Sequence, residues 1–130
     1  MTIQPAELHR LLDAPSTAHL ATLLPDRAPY SVPLWVGVEG EHIAFLTSPG
    51  SRKARNVDRD PRVAISMTNR ANPHEMAYVR GRVVERVEGE HAWDIIDRLS
   101  NKHLGMLYPS RENRVVYLVA VDHAGAMTFG

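Results

Sequence analysis

Apolar residues recur along this chain at two spacings, and the change from one to the other marks most of its elements. Leu8, Leu11 and Leu12 stand at i, i+3 and i+4, which predicts a short helix over residues 5–14. Pro5 suits its first turn and Pro15 ends it. Residues 16–24 (STAHLATLL) read as a strand, and Pro25-Asp26-Arg27-Ala28 as a tight turn. A second strand is expected over 30–38. Its Pro33 cannot donate to a sheet ladder, so that strand is either an edge or bulged. Glu39-Gly40-Glu41 turns the chain into a third strand over 42–47. A basic helix follows at 51–59, stopped by Asp60-Pro61. Residues 62–68 (RVAISMT) alternate as a fourth strand, and 75–87 form a long fifth whose Gly81 suggests a bend. Ala92, Ile95, Ile96 and Leu99 place a helix at about 90–104, with Gly105 just past its end. Closing strands are expected at 115–121 and 126–129.

About seven strands, many joined by short turns, predict a mainly β fold: a β-barrel with helical additions. The length of 130 residues suits one domain over 1–130, with no repeat and no linker. Apolar residues make up 44% and charged residues 23%, an ordinary globular balance that builds a core without disulfides. The chain has no cysteine, which excludes disulfides and thiolate chemistry. Its formal net charge of zero argues against a nucleic-acid binder. No apolar run approaches the ~20 residues of a membrane span, and the N-terminus carries no secretory pattern, so the expected location is cytoplasmic.

Charge becomes informative locally. The segment TSPGSRKARNVDRDPRV (residues 47–63) joins a strand end, a Pro49-Gly50 break and a short helix. Residues 51–62 hold Arg52, Lys53, Arg55, Arg59 and Arg62 against Asp58 and Asp60. Free N–H groups at a helix start, flanked by Ser48, Ser51, Arg52 and Lys53, form a cradle suited to phosphate. The other reading is a helix whose charges simply face water. The spacing is not that of a nucleotide P-loop, and no Gly-x-Gly-x-x-Gly occurs.

Other constellations lead nowhere specific. The seven histidines are scattered over different elements, without the paired spacing of zinc proteases, so no metal site is expected. A Ser-His-Asp hydrolase would need a Gly-x-Ser-x-Gly elbow, which is absent. Glu90, Asp94 and Asp97 fall on the polar side of the late helix and read as solvated, while Trp93 packs that helix on the barrel. Trp35 and Tyr78 either wall a flat ligand or fill the core. Lys102, His103 and Tyr108 either rim a substrate opening or lie on the surface.

The segment 47–63 resembles the phosphate-binding stretch of the pyridoxamine-phosphate-oxidase-like split-barrel flavoproteins. The likeness extends over the opening helix, ATLLPDRAPYSVPLWV, DPRVAIS, YVRGRVVE, the late helix and KHLGMLYP. It implies a homodimer that binds FMN, or the deazaflavin coenzyme F-420, between subunits. By position it implies that Arg52 and Lys53 grip the cofactor phosphate, that Thr47 and Ser48 hydrogen-bond it, and that Ser31, Val32 and Pro33 lie along the ring. The vitamin-processing oxidases carry an Arg-x-Val-Leu-Leu-Lys stretch whose charged ends would fall on Ser31 and Val36. Both charges are missing here, as is the C-terminal segment that helps hold a pyridoxal substrate. The pattern therefore resembles the short deazaflavin-using branch. It implies an oxidoreductase that transfers hydride from coenzyme F-420 to a small unsaturated molecule. An FMN-dependent enzyme of the same fold, or a non-catalytic carrier of cofactor or haem, is the alternative. Arg55, Arg59 and Arg62 either meet the carboxylate tail of the deazaflavin or pair with Asp58 and Asp60.

Overall fold

The computed structural model describes residues 6–128. Its elements are α1 (Ala6–Asp13), β1 (Ala18–Leu23), β2 (Pro29–Leu34), β3 (Gly37–Glu39), β4 (His42–Thr47), α2 (Arg52–Arg59), β5 (Arg62–Thr68), β6 (Glu75–Val87), α3 (Gly89–Leu104) and β7 (Val115–Thr128). The expected roles of Pro5 and Phe129 lie outside the described residues. The strands form one antiparallel seven-stranded sheet in the order β2-β1-β5-β6-β7-β4-β3. The mainly β fold with short helices is therefore as expected, and three strands (β4, β5, β6) have the expected bounds.

Two expectations are corrected. Residues 30–38 are two strands rather than one: β2 pairs with β1 at one edge of the sheet, and β3 pairs with β4 at the other. Only Trp35 and Val36 join them, and a connection that short spans roughly 10 Å at most. The two edges must therefore face each other, which curls the sheet into a barrel split along that seam. Residues 115–128 are one strand, not two, pairing with β6 along nearly its whole length. The count of seven survives because one split offsets one fusion. Pro33 stands on the edge strand β2 in unbroken register with β1, so the edge explanation holds and no bulge is present.

Alternation sets which residues go inside. Ala18, Leu20 and Thr22 of β1, Val63, Ile65 and Met67 of β5, and Ala77 and Val79 of β6 are buried, while their sequence neighbours face outward. Phe45, Tyr117 and Ile43 fill the interior, and the three leucines of α1 join the same cluster. On the opposite side of β4 and β7, α3 packs Ala92, Ile95, Ile96 and Leu99 against Ala44, Val116 and Leu118, with Trp93 at the margin. Lys102 of α3 reaches the seam, donating from Nζ to the Val36 carbonyl at 2.8 Å.

The β6–β7 ribbon bends where its register shifts at Arg80/Gly81. A Cβ at Gly81 would overlap the carbonyl oxygen of Ala120 on the neighbouring strand. Backbone cannot retreat as a flexible side chain can, so Gly81→Ala is expected to destabilise the fold by about 2–3 kcal/mol. Gly50→Ala, with open space around its Cβ, is expected to stay within about 0.5 kcal/mol. Urea unfolding of the two variants measures both; equal stabilities would contradict the close approach.

Candidate cofactor-binding site

The site is built on α2, and polar contacts fix that helix as firmly as its apolar face. Ala54 and Val57 are buried in the barrel cluster. Asn56 is wholly buried and donates from Nδ2 to Thr22 Oγ1 at 2.9 Å. Leaving either group unsatisfied would cost about 1–3 kcal/mol. Tyr117, 1% exposed, donates its hydroxyl to Asp58 at 2.8 Å. Arg86 reaches the same carboxylate at 3.1 Å and lies over the Tyr117 ring. Burial and the Asp58 carboxylate push the Tyr117 hydroxyl up to about 12, so it stays a donor. At the other end Ser51 is the N-cap, its Oγ accepting from Ala54 N at 3.1 Å and lying 2.8 Å from Thr47 Oγ1. The start of α2 is thus tied to the end of β4.

A cavity of about 290 Å³ opens at this junction, lined by Leu34, Trp35, Leu46, Thr47, Ser48, Lys53, Tyr108 and Arg114. Its lining carries two cations and no carboxylate. Lys53 is half-buried, and desolvation lowers its pKa from the ordinary lysine value. The side chains of Lys53, Arg52 and Arg55 make no hydrogen bond or ion pair with any described residue. The remaining basic groups of the segment are engaged. Arg59 donates to the Leu23 carbonyl, and Arg62 pairs with Asp60 at 2.7 Å. Arg62 holds the Asp60 carboxyl down at about 2. Arg114 is fixed by the carbonyls of Glu112 and Asn113, both at 3.0 Å, and its guanidinium stands over the Tyr108 ring. A desolvated ammonium without an acid opposite it is the condition that an anionic ligand relieves. The residues present therefore fit a phosphate.

The profile of the pyridoxamine 5'-phosphate oxidase family matches residues 4–127. The chain belongs to that family. No curated protein matches it significantly. Among solved structures, an F-420 reductase is 27% identical with a TM-score of 0.81, over 94% of this chain and 98% of that one. A conserved hypothetical protein of Mycobacterium tuberculosis is 22% identical (TM-score 0.81), over 98% of this chain and 86% of that one. An FAD-binding protein of Mesorhizobium loti is 19% identical (TM-score 0.69), over 97% and 95% respectively. At those two lower identities the likeness concerns the fold alone.

Within this member of the pyridoxamine 5'-phosphate oxidase family, the expected residues divide into two groups. Thr47, Ser48, Lys53 and Trp35 meet in one cavity, with Arg52 beside them at the helix start. Thr47 is only 5% exposed and its hydroxyl is already bonded to Ser51, which leaves Ser48 as the accessible hydroxyl. Ser31, Val32 and Pro33 do not line that cavity. Ser31 and Pro33 are exposed on the outer side of edge strand β2, and Val32 turns inward. Tyr78 is also apart, on the outer face of β6, where its ring covers Gly125 of β7. A larger, apolar cavity of about 490 Å³ lies on the outer face of the sheet, over Ala21, Leu23, Pro29 and Ala64.

Beyond α3, Tyr108 lines the site, and His103 in the last turn of α3 backs it. The His103 ring stacks on Trp35 at 4.8 Å with a 6° interplanar angle, and Tyr108 meets Trp35 edge-on at 6.2 Å. Burial and the neighbouring cations push His103 down to about 4, so it is neutral at physiological pH. Lys102 instead turns to the seam and toward Asp13. Asp97, expected in solvent, accepts from Tyr108 N at 3.1 Å and Arg111 at 2.6 Å. Arg114 was not foreseen. It enters because Thr47 pairs with Val115, a long-range register that leaves no local sequence signal. Among the described residues no His, Cys, Asp or Glu cluster could hold a metal. No described helix is long and apolar enough to cross a membrane.

A lysine whose folded-state pKa is lowered penalises the fold below that pKa. The penalty fades as pH rises toward the unfolded value of 10.5, where both states lose the proton. Lys53→Met is therefore expected to raise the melting temperature of the ligand-free protein at pH 7, with the gain shrinking toward pH 10.5. Inorganic phosphate should raise the melting temperature of the parent and not of the variant. A variant that melts lower than the parent would contradict this account of Lys53.

Proposed function

We propose that this protein is an oxidoreductase that binds the deazaflavin coenzyme F-420 and passes hydride to a small unsaturated organic acceptor, and that two copies complete each site. The observation that carries this reading is the unpaired, half-buried Lys53 at the start of α2, beside Arg52 and Ser48 and facing an aromatic wall. A ligand with a phosphate at one end and a flat ring at the other satisfies both halves of the cavity. The likeness to an F-420 reductase over 94% of the chain supports the deazaflavin. Oxidation of pyridoxamine phosphate is disfavoured by Ser31 and Val36. The first is uncharged on the outer face, and the second is wholly buried, so neither presents charge to a ligand.

When bound, the coenzyme supplies hydride chemistry; the protein supplies position, electrostatics and exclusion of water. Lys53 and Arg52 bind the phosphate charge, and the Ser48 hydroxyl orients it. Leu34 and Trp35 present apolar surface to a ring. The backbone of Ser31, Val32 and Pro33, on edge strand β2, would lie along the ring. Arg55, exposed and without an internal partner, is placed to meet tail carboxylates. The lining holds no carboxyl or histidine. A second copy of the chain would close what is otherwise an open groove.

FMN carries the same terminal phosphate and is the appropriate competitor. Fluorescence titration is expected to show tighter binding of coenzyme F-420 than of FMN. Reversing both charges, Arg52→Glu with Lys53→Glu, is expected to weaken coenzyme binding more than tenfold, by about 1.4 kcal/mol or more, with the fold retained by circular dichroism. Unchanged affinity in the double variant would remove the cradle assignment. Tighter FMN binding would reassign the cofactor.

A further inference from the structure

Arg114 brings a second positive charge to the cavity that Lys53 lines, and its setting differs from that of most arginines in the chain. Arg10, Arg62, Arg82, Arg86, Arg98 and Arg111 each pair with a carboxylate. Arg114 is half-buried and makes no ion pair with any described residue; neutral oxygens hold it. Its Nη1 donates to the carbonyls of Glu112 and Asn113, both at 3.0 Å, and Asn113 stands in the left-handed conformation with φ 50°. Nε and Nη2 make longer bonds, each 3.4 Å, to the hydroxyls of Tyr108 and Ser110. The head group is therefore fixed before any ligand arrives, with one N–H of Nη2 still free to donate. Its main chain runs opposite Ser48, since Thr47 pairs with the next residue, Val115. The side chain nevertheless turns to the aromatic wall. The guanidinium lies 5.6 Å from the centre of the Tyr108 ring, and Tyr108 meets Trp35 edge-on.

We propose that Arg114 is the specificity-determining residue for the acceptor and holds a carboxylate on it, so that the substrate class is an unsaturated carboxylic acid. The proposal rests on the reading of the cavity as the redox site. The phosphodiester of the coenzyme bears one negative charge, and Lys53 in the lining, with Arg52 beside it at the helix start, balances that charge. No carboxylate lines the cavity, so the charge of Arg114 remains uncompensated. A flat acceptor covering the aromatic wall would strip water from this guanidinium, which is unfavourable unless an anion takes the water's place. One carboxylate matches the one remaining charge and the planar geometry of its donors. A neutral acceptor of the same shape incurs the desolvation without gaining the ion pair. The coenzyme and the acceptor are thus recognised by cations from different elements, α2 for the first and the start of β7 for the second.

Calorimetry with trans-cinnamate and trans-cinnamamide tests this, because the two share shape and conjugation and differ in charge. With the protein saturated by oxidised coenzyme F-420, the acid is expected to bind about tenfold tighter than the amide, or more. In Arg114→Gln the two should bind nearly equally, and Arg114→Lys, which keeps the charge, should retain part of the preference. Arg114 also ties down the carbonyls of Glu112 and Asn113, so a loss that is merely structural would weaken acid and amide together and leave their ratio unchanged. That unchanged ratio overturns the proposal. Equal affinities in the parent overturn it too, whether or not either variant folds. If Arg114→Gln weakens coenzyme binding as much as Lys53→Met does while the acid keeps its advantage, Arg114 serves the phosphate and the proposal falls. If the coenzyme itself does not bind, the same pair of ligands is measured on the unliganded protein. An acid preference lost in Arg114→Gln and kept in Lys53→Met then supports the carboxylate site and removes its redox setting; the reverse pattern overturns it.

Discussion

Two residues carry the chain from one edge of the sheet to the other, and the rest of the architecture follows from that short crossing. Trp35 and Val36 allow no slack, so the edges formed by β2 and β3 are drawn together and the sheet must curl. Val36 turns into the barrel and is fully buried, while Trp35 turns toward the cavity at the start of α2. A hydrogen bond from Lys102 to the Val36 carbonyl stitches the crossing to α3. The same crossing that closes the barrel therefore supplies a wall of the candidate site, and the helix that covers the seam supplies His103 behind that wall.

Charge is distributed with a division of labour. Arg59, Arg62 and Arg86 are engaged in holding α2 and its surroundings. Arg52, Lys53 and Arg55, at the start of the same helix and its first turns, are left without internal partners. Buried polar anchors such as Asn56 to Thr22 fix where the helix points. The desolvated Lys53 lowers stability at its own position. Local conflicts between folding and charge of this kind cluster at functional sites.

Much of the fold was legible because alternation is a local signal. The bounds of β4, β5 and β6, the apolar faces of α1 and α3, and the glycine end of α3 could all be read in the sequence. What failed depended on long-range pairing. Residues 30–38 alternate without interruption, and only the identity of their partners divides them into β2 and β3. Asp122 to Gly125 resembles a turn, yet a register shift near Asp122 and the Tyr78 ring over Gly125 keep the strand running. Of the candidate site, the cradle was legible from the order strand, break and basic helix. Trp35 could be read as a possible ring wall and Tyr108 as a possible rim, but Arg114 could not, because only the long-range pairing of Thr47 with Val115 brings it to the site. The outward placement of Tyr78 follows from alternation, since Ala77 and Val79 face inward.

The most direct measurement is a crystal structure of the protein grown with coenzyme F-420. The account predicts the ligand's phosphodiester within hydrogen-bonding distance of the Lys53 ammonium and the Ser48 hydroxyl, with the deazaflavin ring extending past Trp35. A ligand bound elsewhere, with Lys53 still facing solvent or covered by the protein's own side chains, would contradict it.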